Sequence, residues 1–118
     1  MDVPLHTVAE TDAYLARCRS LNLTASERAA IVDQIAADPA AGDVVRGSGG
    51  VRKVRYGGSG GYRIMVAYLG ADVPVYLLSI LSKGQQANFT AKQIATMYDL
   101  TKALMHRWSE RRKQGSGS

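Results

Sequence analysis

The sequence predicts an α+β domain: a small antiparallel β-sheet meander with N-terminal helices and a C-terminal helix. Three observations predict it. Thr24-Ala-Ser-Glu27 and Thr90-Ala-Lys-Gln93 both have capping-box spacing, in which a hydroxyl and a side-chain carbonyl or carboxylate satisfy orphan backbone N–H groups. Between them lie short runs rich in Val, Ile and Tyr, punctuated by glycine, the pattern of strands joined by tight turns. After the second box, Ile94, Met97, Tyr98, Thr101, Leu104, Met105 and Trp108 fall on one helical stripe.

Taken in order, a short edge strand is expected near Leu5–Val8 and a first helix over Glu10–Arg19. The box at Thr24 opens a second helix over Ala25–Ala37, which Asp38-Pro39 stops because the residue before proline is driven out of the helical region. Strands follow at 51–56, 62–69 and 73–82. Gly57–Gly61 joins the first pair and Gly70-Ala-Asp72 the second, which makes an antiparallel meander. Pro74 stands at the start of the third strand, where its missing N–H is tolerated. The helices are expected on one face of this sheet. No internal repeat occurs. The chain of 118 residues reads as a single domain over 1–114, with Gly115-Ser116-Gly117-Ser118 as an appended linker.

Composition narrows the class. With 46% apolar and 21% charged residues the chain is ordinary for a globular protein. Cys18 is the single cysteine, so no internal disulfide forms and a reducing compartment is the natural setting. The start, MDVPLHTVAE, carries acids and no apolar segment of signal-peptide type, and no apolar run approaches the roughly 20 residues of a membrane span. A cytoplasmic protein without membrane contact is expected. Charge is uneven. Residues 1–43 hold three basic and seven acidic side chains; residues 44–83 hold six basic against Asp72 alone; residues 84–118 hold six basic against Asp99 and Glu110. A basic middle beside an acidic N-terminal part suggests one surface for a polyanion and another for a different partner.

Metal and cofactor chemistry find no support: His6 and His106 are far apart, and Cys18 has no companion at ligand spacing. Nucleophile signatures and phosphate-binding glycine loops are absent too, so the glycines read as turn residues. The basic residues are more informative. Side chains alternate along a strand, so Lys53 and Arg55 leave the same face; Arg63 on the next strand and Lys83 after the third can join them. Such a group suits RNA phosphates, which arginine meets with a planar fork. Arg46 and Arg52 extend the basic stretch as further RNA-binding candidates. Tyr56, Tyr62 and Tyr68 can stack on bases or, equally, pack in the core. Fixed cations also stabilise the charge that builds when a 2′-hydroxyl attacks its phosphate. Lys53, crowded by Arg52 and Arg55, is a candidate base, since like charges favour a neutral amine.

The runs GDVVRGSGGVRKVRY, SGGYRIMVAYL and VYLLSILSKGQQANFTAKQIATMYDLTKAL resemble the RelE/ParE superfamily of toxins, and among them the HigB-type branch of type II toxin–antitoxin systems. The resemblance covers residues 24–108 and is most specific between Gly42 and Thr90. It rests on an ordered set: G-x-R-K-x-R, G-x-R before an apolar strand, L-L-x-I-x-x-K, and N-x-[ST] opening a helix. It implies a compact α+β toxin that cuts mRNA on the ribosome without a metal or cofactor and so inhibits translation. Lys53, Arg55, Arg63 and Lys83 stand at its catalytic positions, with Arg55 and Arg63 on the scissile phosphate. It implies a cognate antitoxin, a helix-turn-helix DNA-binding protein, and a higher-order toxin–antitoxin assembly. Two other functions fit the resemblance: a ParE-like inhibitor of DNA gyrase, and a catalytically weakened nucleic-acid-binding relative. The sequence departs from cleaving relatives at Gly84 and Gln85, where they carry polar or basic and acidic side chains. It departs again at Phe89-Thr90, where some have a tyrosine, and in the uncharged Gly57–Gly61 loop.

Overall fold

The structure, a computed structural model, describes residues 6–58, 61–82 and 89–116, with side chains to residue 111. Its elements are β1 (Val8–Glu10), α1 (Asp12–Ser20), α2 (Ala25–Ala37), β2 (Asp43–Val44), β3 (Val51–Tyr56), β4 (Tyr62–Ala67), β5 (Val75–Ser82) and α3 (Ala91–Ser116). The strands form one sheet in the order β1-β5-β4-β3-β2. β2 to β5 are antiparallel neighbours, whereas β1 lies parallel to β5 with Val8 opposite Val75. Among the described residues no helix is long and apolar enough to cross a membrane.

Local chemistry sets most boundaries. Thr11 caps α1: its hydroxyl accepts from the Tyr14 N–H at 3.1 Å and donates to the Leu77 carbonyl at 2.7 Å, which fastens the helix start to β5. The first helix therefore starts at Asp12, two residues later than expected. The edge strand is also displaced, to Val8–Glu10, while Leu5 lies outside the described residues. The box at Thr24 is complete, with both bonds at 3.0 Å, and α2 keeps the expected bounds. The box at Thr90 is complete as well, at 2.9 and 3.1 Å. α3 runs on to Ser116, through the first two residues read as a linker.

One expectation is corrected. The helices do not share a face of the sheet. Tyr14, Cys18, Ile31 and Ile35 of α1 and α2 pack on Val54, Ile64, Val66, Val75, Leu77 and Ile80. On the opposite face Ile94 and Met97 of α3 pack on Val45, Val51 and Met65. A β-bulge makes the first core possible. Leu77 and Ile80 are three apart, which a regular strand would send to opposite faces. The register shifts between Met65 and Val66, which pair with Ser79 and Leu77, so Leu78 is extra and both apolar side chains reach the α1/α2 side.

Within that core, Tyr14 is fully buried and among the described residues its hydroxyl lacks a partner of sound hydrogen-bond geometry, with the Cys18 thiol one helical turn on as its polar neighbour. Burial pushes the ionisation of both groups up from their ordinary values. Arg28 on α2 bonds the Glu10 carboxylate of β1 at 3.1 Å and ties the helical layer to the sheet edge.

Candidate nucleic-acid interface

Strand alternation divides the basic stretch between the two faces. Val51, Lys53 and Arg55 share the α3 side, and in the antiparallel register Arg55 stands directly opposite Arg63, with Lys53 opposite Met65. Directly opposed side chains start about 4.5–5.5 Å apart at their Cβ atoms, and like charges there destabilise the pair. Even so, among the described residues no hydrogen bond or ion pair engages either guanidinium. Arg55 is exposed, and Arg63 and Lys53 are half-buried. Two arginines set face to face with no carboxylate between them suit an external anion.

α3 covers the other end of this face. Thr101 is buried and donates to the Ser48 carbonyl at 2.9 Å, and Trp108 donates from Nε1 to the Tyr76 hydroxyl at 2.7 Å. The glycine-rich turn before β3 forms the seat. Gly49 has φ +80°, and a Cβ there would stand 2.5 Å from the Thr101 hydroxyl. Between α3 and the sheet runs an apolar groove of about 350 Å³, lined by Met65, Leu81, Phe89, Met97 and Leu100. It adjoins the cations, for the Lys53 ammonium lies 6.0 Å from the centre of the Phe89 ring.

Arg52, Tyr56, Tyr62 and Tyr68 are not brought to this surface. Arg52 points to the opposite face, where its guanidinium donates to the carbonyls of Ala40 at 3.1 Å and Gly42 at 2.9 Å. Its bonds are to the chain's own turn. Tyr56 and Tyr62 are register partners packed against the α1/α2 core, as is Tyr68, whose ring meets His6 edge-on at 5.4 Å. Arg46 is exposed in the hairpin turn between β2 and β3. Lys83, with Gly84 and Gln85, lies outside the described residues. The crowding expected of Lys53 thus loses Arg52.

Sequence reasoning missed Asp43. β2 is two residues long, too short for any periodicity, yet it pairs Asp43 with Lys53 and Val44 with Arg52. The signal was available: a hairpin centred on Ser48 places residues 43 and 53 opposite each other. Gln34 was missed too; its side-chain amide donates to the Arg55 carbonyl at 2.8 Å and fixes the outer edge of β3. Among the described residues no group of three or more His, Cys, Asp or Glu could hold a metal ion.

Comparison with known proteins places the architecture. No family model matches the sequence. Among solved structures, a double arginine-to-alanine mutant of E. coli toxin RelE in the free state superposes with a TM-score of 0.52. The match covers 80% of this chain and 94% of that one, at 17% identity. The chain has the RelE fold, in agreement with the resemblance drawn from its motifs.

Proposed function

We propose that this chain is the toxin of a type II toxin–antitoxin system, an endonuclease that cuts mRNA on the ribosome and so inhibits translation. One observation carries the proposal: Arg55 and Arg63 oppose each other on the sheet face that α3 shares, unpaired among the described residues, with Lys53 alongside. The RelE fold supports the same reading. The two guanidinium groups hold the scissile phosphate and stabilise the charge that builds on its oxygens, and this chemistry calls on no metal. Lys83, next in sequence after Ser82, is the fourth cation of this proposal. The Phe89 ring beside Lys53 offers a face for a base. A cognate antitoxin with a helix-turn-helix covers the cations with acidic side chains. The exposed apolar residues Leu100 and Met105 of α3 give it a second contact, and a dimeric antitoxin would build a two-to-two or larger assembly.

Induction in bacteria tests the proposal. Growth and protein synthesis should stop, and co-expression of a small neighbouring gene should restore both. Loss of supercoiling with translation intact would favour the gyrase reading instead. A chain that is harmless when induced, and that no neighbour binds, would refute the toxin reading.

A further inference from the structure

We propose that Asp43 is the general base of this site, an inference that rests on the ribonuclease reading above. Asp43 and Lys53 are direct partners across β2 and β3, so their side chains leave the same face about 4.5–5.5 Å apart at Cβ. Asp43, Lys53 and Arg55 line one cavity of about 380 Å³, together with Gln34 and Gly42. The site therefore joins a carboxylate to the cations, which the sequence reading lacked.

The segment that carries Asp43 is held more firmly than an exposed two-residue strand requires. Gly42 approaches β3 so closely that a Cβ would overlap the Lys53 carbonyl. Arg52 grips the carbonyls of Ala40 and Gly42 from the other face. The Ala41 N–H bonds the Asp38 carbonyl at 3.3 Å. Asp43 itself is exposed, and among the described residues no ion pair engages it. The charged groups around it are Lys53 and Arg55 of β3, the Arg52 guanidinium at the preceding carbonyl, and Asp38 in the preceding turn. A solvent-reached carboxylate on a firmly held stretch of backbone, beside a phosphate-binding pair, is placed to accept a proton.

The Asp43 carboxylate takes the proton of the 2′-hydroxyl as O2′ forms its bond to phosphorus. The bond from phosphorus to O5′ breaks, and its electron pair leaves with O5′, which takes a proton from the Lys53 ammonium. Arg55 and Arg63 hold the non-bridging oxygens. The products are a 2′,3′-cyclic phosphate and a 5′-hydroxyl end, and solvent restores both side chains. Lys53 then acts as acid, where crowding on the sequence had suggested a base.

The test is single-turnover cleavage of a defined message on translating ribosomes, measured against pH for the wild-type chain, Asp43→Asn and Asp43→Glu. Asp43→Asn should slow cutting by about 100-fold or more, the usual worth of a positioned base. It should leave ribosome affinity and melting temperature unchanged and lose the acid limb of the pH profile. Asp43→Glu should keep that limb and part of the rate. An Asp43→Asn chain that cuts within about threefold of wild type, or keeps the wild-type acid limb, overturns the inference and leaves the ribonuclease reading standing. A wild-type chain that cuts nothing removes that reading, and this inference with it.

Discussion

Replacing Arg63 by alanine should move stability and RNA binding in different ways. Arg63 directly opposes Arg55 across β3 and β4, a like-charge pair without a carboxylate partner among the described residues. Relief of such a pair stabilises by about 0.2–1 kcal/mol. Against this stands alanine's poorer fit to a half-buried strand, on a scale that spans about 1 kcal/mol. The two nearly cancel, and the melting temperature should shift by less than about 4 °C, taking about 4 °C per kcal/mol for a domain of this size. Binding has no such cancellation. Each lost phosphate contact to a single strand lowers the slope of log affinity against log salt by about 0.7. Arg63→Ala and Arg55→Ala should each show that decrement, and the double variant about 1.4. Fluorescence anisotropy with single-stranded RNA over a salt series measures it, beside a thermal melt. A fall in melting temperature above about 10 °C would make Arg63 a structural residue. An unchanged slope in both single variants would place the RNA elsewhere.

The seat of α3 gives a second test. Gly49→Ala meets a positive φ and the Thr101 hydroxyl, whereas Gly58→Ala meets a positive φ with nothing within 4 Å. Gly58→Ala should cost about 1–2 kcal/mol in denaturant unfolding, and Gly49→Ala about 1–3 kcal/mol more as the buried Thr101 bond is disturbed. Equal losses would mean that α3 does not depend on this contact. The buried Tyr14 and Cys18 give a third. Burial raises the ionisation of both, so the folded chain keeps protons that the unfolded chain releases above 9.0 and then 10.0. The contribution of these two groups should be full below that range and be lost as pH rises through it, so stability should fall there, and Cys18→Ala should delay the onset. A stability that holds level through the same range would contradict the burial.

Local chemistry was legible and face assignment was not. α2 could be read to the residue because Thr24, Glu27 and Asp38-Pro39 act within one turn of its ends. β3 was bounded by glycines that allow backbone angles other residues avoid. The placement of α3 depends on contacts that no local pattern records, from Thr101 to Ser48 and from Trp108 to Tyr76. The bulge at Leu78 likewise answers to two strands at once. Part of the site was readable further than it was read. The alternation that groups Lys53 with Arg55 also excludes Arg52 and Tyr56, and it separates Tyr62 from Arg63. What could not be read was the second use of Arg52, as the clamp on the turn that carries Asp43.

The most direct test of the account maps new 5′ ends across the transcriptome of bacteria induced to make the chain. Cells expressing wild type and the Arg55→Ala/Arg63→Ala double variant would be compared. The account predicts cuts in phase with the reading frame of translated messages, present with wild type and absent with the double variant. Cuts that persist in the variant, or a toxic wild type that leaves every message intact, would contradict it.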